Sequence, residues 1–315
     1  MLWFFKKGYE MSKIKIVKQM FSLAILSLLF SACSTKQVDI SEPKYTLTET
    51  QSKEGLFSLR EGRNISLEQL TKDVEKYPVI FVGDHHNTEK THEFFNTFLE
   101  SLVKKGYKIH LANEWFSPEH NKLLKLYTDG KISSKELKKR RGWKSRWDLI
   151  GKIYDTVKKS NGKLYGVNIS KKDRKKISQK LFDQMSKEER NFYDNLDLNV
   201  TAHKNLVMPF FGHCKHMPKR GNEPCEERMY RVQVAWDTYM AEESAKLAKK
   251  VIKTNKDKLI VFAGAMHMQY GMGIPLRFSR VNNLPFYIIS NHLNNEKDIY
   301  QYKANTVFIY NKEKK

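Results

Sequence analysis

Cysteine is scarce in this chain: three residues in 315, at Cys33, Cys214 and Cys225. They fall in no zinc-finger spacing, which sets a zinc module aside. No Walker loop and no RNA-binding aromatic signature is present, and no segment is of low complexity. No apolar run reaches the roughly 20 residues that a membrane-spanning helix needs. The run from Met20 to Ala32 has 13. Acidic residues are also few, 35 against 57 Lys and Arg, which leaves a net charge of +22. Such an excess asks for an anionic partner: nucleic acid, anionic lipid or an acidic ligand. With no nucleic-acid motif, nucleic acid drops out of the expected partners. The lysines read as spread along the chain, as a Lys-rich proteome would produce.

The N-terminus is a targeting segment and not part of a fold. Lys13, Lys15 and Lys18 precede the Met20–Ala32 run, which ends FSAC. Small residues before Cys33 match a bacterial lipoprotein processing site, with Phe30 where Leu is usual. Residues 1–32 are thus expected to be a signal peptide, with Cys33 as the lipidated first residue of the mature protein. Residues 33–53 form a polar tether, and 54–315 the domain. Removing residues 1–32 takes away five lysines and one glutamate and leaves +18, so the basic character belongs to the folded part. In an exported protein a Cys214–Cys225 disulfide is chemically permitted, and nothing in the sequence requires it.

Beyond the tether, GLFSLREGRNIS from Gly55 suggests an edge hairpin. Ser66 with Gln69 makes a capping box for a helix to about Lys76. Val79 to Val82 is a continuous apolar run of the kind buried on both faces of a sheet. Helical spacing follows from Thr88 to Lys105, then a strand over Tyr107 to Ala112. Pro118 to Tyr127, Lys135 to Arg140 and Trp147 to Ser160 read as helices and Leu164 to Val167 as a strand. From about 171 to 253 only helical signals appear. Strands resume at Leu259 to Phe262 and Phe286 to Ser290. The expected fold is therefore α/β: a mostly parallel central sheet flanked by helices, with a helical subdomain inserted at about 171–253.

Ligands of open α/β sheets bind beyond the carboxyl ends of the strands. Three such ends carry chemistry. The first is Gly83-Asp84-His85-His86, the second Asn113-Glu114, and the third Gly264-Ala265-Met266-His267. Two of them share the pattern strand, Gly, two residues, His. The glycine permits a sharp exit from the strand. His86, Glu114 and His267 are expected to converge there with Asp84, and His85 is expected to be half exposed and supportive.

GDHHNTEKTH, ANEWF, the tryptophan pair of RGWKSRWDLIGKIY, LYGVNIS, RMYRVQVAWDTYMAEE and FAGAMHMQYGMGIPLR together resemble the ChaN-like family of haem-binding lipoproteins. That family belongs to a wider group with the Tiki proteases and erythromycin esterases. The likeness runs from about Gly55 to Ile309. Asp84 departs from it, since relatives usually carry Glu after the Gly.

The resemblance implies a lipid-anchored protein of the bacterial outer membrane that takes part in haem or iron uptake. It also implies haem held between two protomers as a haem-linked homodimer, with an outer-membrane haem receptor as a further partner. Ferric haem (ferric protoporphyrin IX) needs an apolar slot, an axial ligand and basic groups for its propionates. NLVMPFFGHCKHMPKR offers His213, Cys214, His216, Met217, Lys219 and Arg220. QYGMGIPLRFSR offers Tyr270, a candidate for the haem iron, beside Arg277 and Arg280. Tyr193 and Tyr230 are the other tyrosines of the insertion able to supply a phenolate. The alternative is a metal-dependent hydrolase of the Tiki or esterase kind, in which His86, Glu114 and His267 hold a divalent ion or activate water.

Overall fold

The structure, a computed structural model, describes residues 43–86, 88–143, 147–179, 184–216 and 223–311. The expected signal peptide and Cys33 lie outside the described residues, as do Met217, Lys219, Arg220 and the side chain of Tyr193.

In chain order the strands and helices are β1 (Lys44–Thr46), β2 (Gly55–Ser58), β3 (Arg63–Ile65), α1 (Leu67–Asp73), β4 (Val79–Asp84), α2 (Glu89–Lys104) and β5 (Lys108–Asn113). Then come α3 (Asn121–Thr128), α4 (Ser134–Arg141), α5 (Trp147–Lys159), β6 (Leu164–Gly166), α6 (Lys171–Gln179), α7 (Lys187–Asp194) and α8 (Thr201–Val207). A 3₁₀ stretch (Met208–His216) leads towards α9 (Cys225–Val251), and β7 (Asp257–Gly264), α10 (Ile274–Val281), β8 (Phe286–Leu293), β9 (Asp298–Tyr300) and β10 (Thr306–Tyr310) complete the chain.

The main sheet has eight strands in the order β3-β2-β10-β8-β4-β7-β5-β6. From β10 to β6 every pairing is parallel, while β2 pairs antiparallel with β10 and β3. The expected hairpin is therefore the sheet's edge, and Ser66 caps α1 by accepting from Gln69 N at 3.1 Å. Alternation along β4 explains why its run is wholly apolar. Ile80 and Val82 enter one core, with Phe95, Phe98 and Leu99 of α2 and Ile150 and Ile153 of α5. Val79 and Phe81 enter the other, with Met240, Ala241 and Ala245 of α9 and Phe278 of α10.

Two boundaries differ from the sequence reading. The tether ends earlier than residue 53: Lys44 to Thr46 pair as β1 with β9, and Leu47 is buried beneath them. Among the described residues the insertion's longer elements are all helices, but it does not end as a separate layer. The 27-residue α9 begins in the insertion's own core with Tyr230, Val232 and Val234, then runs on to cover the sheet. Cys214 and Cys225 do form a disulfide, which ties the 3₁₀ stretch to the first residue of α9.

Candidate functional site

The two Gly-x-x-His motifs lie on adjacent strands. β4 pairs with β7 so that Asp84 faces Gly264 and Gly83 faces Ala263. Each glycine clears room for the other motif. A Cβ on Gly83 would stand 3.0 Å from Ala265 Cα, and one on Gly264 would stand 3.0 Å from His86 Nε2. These positions are small because of close approach, since neither has a left-handed backbone.

The motifs deliver an alternating row of carboxylates and imidazoles. Asp84, at the end of β4, lies 3.1 Å from His86 Nδ1 and 3.0 Å from Nε2 of His92 on α2. The shorter acid thus still reaches the histidine two residues on. His86 Nε2 lies 2.9 Å from Oε1 of Glu114, just past β5. The other Glu114 oxygen accepts from Gly264 N at 3.0 Å and stands 3.8 Å from His267 Nε2. His267 Nδ1 is 2.5 Å from Oδ1 of Asp237 on α9. Gln233 Nε2 is 3.3 Å from each oxygen of Asp237, so the amide donates to that carboxylate. His203 of α8 completes the row, with Nε2 3.3 Å from Asp237 Oδ2 and Nδ1 3.5 Å from Arg277 Nη2.

Both ring nitrogens of His86 face carboxylates, and an imidazole satisfies two acceptors only as the cation. The hydrogen bonds to Asp84 and Glu114 accordingly lift its pKa to about 10, against the opposing effect of burial. Burial pushes the His267 pKa down, but the Asp237 charge outweighs it and the net shift is upward. Burial likewise opposes ionisation of Asp84, Glu114 and Asp237. The adjoining imidazoles reverse that, and all three sit below the usual carboxylate range. Chemically this is a proton-holding, ion-paired cluster, with only the His86 ring substantially open to solvent. Among the described residues no group of three or more His, Cys, Asp or Glu is arranged to hold a metal ion.

The structure brings His86, Glu114 and His267 together as the motifs predict. His85 turns the other way, to the Tyr310 hydroxyl on β10. Asp237, His203 and Gln233 were not singled out from sequence. The available signal was Gln233 and Asp237, four apart on one face of an otherwise apolar helical run.

The haem candidates divide. The Met208–His216 stretch is 3₁₀ on either side of a kink at Phe211. Phe211 and Cys214 are buried, whereas Phe210, His213 and His216 are exposed, Phe210 at 63%. They form an apolar and imidazole ridge on the insertion. Tyr270 has left-handed backbone (φ 59°, ψ 9°), and burial lifts its pKa to about 12, with the Tyr300 and Glu296 side chains adding to the rise. Two expectations are corrected. Tyr230 is a core residue, 1% exposed, whose hydroxyl donates to Val200 O at 3.2 Å. Arg277 is 4% exposed and donates to the Met272 and Gly273 carbonyls, so it faces no propionate at the surface. Arg280, also offered for a propionate, pairs with Asp197 at 2.6 Å.

A solved structure of cofacial haem binding to ChaN of Campylobacter jejuni is similar over 80% of this chain and 94% of that one, at 18% identity and a TM-score of 0.61. The type III effector HopBA1 is similar over 78% of this chain and 94% of that one, at 13% identity and a TM-score of 0.43. A Bacillus cereus protein is similar over 79% and 72%, at 13% identity and a TM-score of 0.41. No curated protein matches the chain. A family profile described as haem-binding uptake, Tiki superfamily, ChaN matches residues 70–278, well over half of the sequence, and the chain belongs to that family.

Proposed function

We propose that this chain binds ferric haem and takes part in haem uptake as a lipid-anchored protein of the bacterial outer membrane. Haem would lie on the Phe210–His213–His216 ridge, close a contact between two copies, and be exchanged with an outer-membrane haem receptor. The observation that carries the reading is the ridge itself, in a member of a haem-binding family. An exposed phenyl ring suits the porphyrin face, and exposed imidazoles are ready axial ligands. Haem, when bound, supplies the iron and the redox chemistry. The chain supplies the apolar contact, the imidazoles and the disulfide at Cys214 that fixes the ridge from beneath. Hemin titration followed in the visible spectrum tests it. A saturable Soret shift is expected, lost in His213→Ala/His216→Ala and kept in Tyr270→Phe. Loss in Tyr270→Phe instead, with disappearance of a phenolate charge-transfer band, would transfer the ligand role to Tyr270.

A second reading rests on a different observation, the His86–Glu114–His267 row at the strand ends. It would support hydrolysis of an ester or peptide by an activated water. Cleavage of such substrates by haem-free protein, abolished in Glu114→Gln, would establish it.

A further inference from the structure

The lysines occur along the whole chain, as expected, but the net positive charge is densest in one segment. Residues 119–163 hold 14 Lys and Arg against five Asp and Glu, a net of +9 within 45 residues of a 315-residue chain carrying +22. This segment builds α3, α4 and α5 and leads into β6, the strand that ends the main sheet opposite β3. The helices share one core through Leu124, Leu137 and Ile150, and Trp147 Nε1 donates to Ser134 Oγ at 2.9 Å, which locks α5 to α4.

Three of the five acids of this segment are already engaged, and Asp148 stands in the first turn of α5. Asp129 takes Lys125 and Lys163, Glu136 takes Arg140, and the Tyr127 hydroxyl donates to Asp155. Lys122, Lys131, Lys135, Lys139, Lys152 and Lys159 are exposed and pair with no carboxylate among the described residues. Lys135 and Lys139 are one turn apart on α4, and Lys152 and Lys159 two turns apart on α5, so each pair projects from one helix face. The scaffold beneath is fixed. Leu137 is fully buried, and Arg141 lies over the Phe116 ring while donating to Trp115 O.

We propose that the basic face of α4, with Lys131 just before it and Lys135 and Lys139 along it, docks on an anionic lipid surface, these lysines meeting phosphate headgroups. Lysine ammonium groups are compact, hydrated point charges, suited to a diffuse field of headgroups and poorly suited to bidentate recognition of a defined ligand. Single-stranded nucleic acid needs exposed rings for base stacking. Here Tyr127, Tyr154 and Trp147 are buried, and none of the large exposed apolar side chains lies in this segment. The surface is independent of the haem ridge and of any acyl chain.

The test uses residues 39–315, which form one compact unit by themselves, so that neither the Met20–Ala32 run nor a lipid contributes. Co-sedimentation is measured with phosphatidylcholine vesicles with and without phosphatidylglycerol. At least about tenfold tighter binding to the anionic vesicles is expected, falling as salt is raised. Lys131→Glu/Lys135→Glu/Lys139→Glu should abolish the difference. Lys53→Glu/Arg60→Glu/Arg63→Glu, at the β3 end of the sheet, changes the net charge equally and should retain it. Equal loss in both triples would show that total charge alone acts and would overturn the proposal. So would equal binding to neutral and anionic vesicles, or tighter binding to duplex DNA than to anionic vesicles. Melting curves of both triples confirm that each is folded.

Discussion

Gly264 has no side chain where the ring of His86 lies: a Cβ there would come within 3.0 Å of His86 Nε2. The second Gly-x-x-His motif thus makes the space in which the first one works. Gly264→Ala is expected to displace His86 from Glu114 and to cost about 1–3 kcal/mol of stability by overpacking. Thermal melting and the His86 ring resonances report the two effects. An unchanged melting temperature with unchanged resonances would refute the interlock.

His86 is held as a cation by Asp84 and Glu114, with its pKa lifted to about 10. A group raised in the fold contributes stability below its ordinary value, near 6.5, and loses that contribution as pH rises towards about 10. Because the ring is half exposed, the contribution is small. NMR titration should show His86 protonated through neutral pH and titrating nearer 6.5 in Glu114→Gln. A wild-type midpoint below 7 would contradict the ion-pair geometry.

Asp237 is fully buried between His267 and His203, with Arg277 beyond. Asp237→Ala leaves those groups without their anion and should cost about 3–5 kcal/mol, readable by denaturant unfolding. Asp84, Glu114 and Asp237 all have depressed pKa values, so their contribution is present above the ordinary carboxylate range and lost as pH falls through the folded values. Unfolding as the solution is acidified below about pH 4 is expected, and the Asp237→Ala protein should show a shallower acid limb.

Haem and self-association should be linked. A haem on an open ridge leaves one face in water, and burying roughly 200–300 Å² of it against a second copy is worth several kcal/mol at about 25 cal/mol per Å². Two strongly basic protomers, at +22 for the full chain and +18 if residues 1–32 are removed, repel, which favours monomers without haem. Sedimentation velocity is expected to show monomer without hemin and dimer with it. A dimer without haem, or a monomeric haem complex, would defeat the linkage.

Cys33→Ser should yield a protein that folds but no longer partitions into detergent. A short apolar segment ending FSAC motivates this, and bacterial lipoprotein processing at that Cys would add several acyl chains where one would anchor only marginally. Equal partition of mutant and wild type would remove the lipoprotein assignment.

The sequence by itself determined the parallel sheet, because strands buried on both faces must be apolar at every position, as Val79 to Val82 are. It also marked the strand-end residues His86, Glu114 and His267, since glycine exits and polar side chains interrupt apolar runs at those points. What it could not express is which strands become neighbours. Only when β4 lies against β7 do Gly83 and Gly264 accommodate each other's motif. Asp237, on a helix far along the chain, joins the row solely because α9 packs against that sheet. The haem candidates divided for the same reason. Tyr230 and Arg277 are chemically apt, but packing buries them, while Phe210, His213 and His216 are left exposed to solvent. Residue type decides what a side chain is able to do, and burial, a property of the whole fold, decides whether a ligand ever meets it.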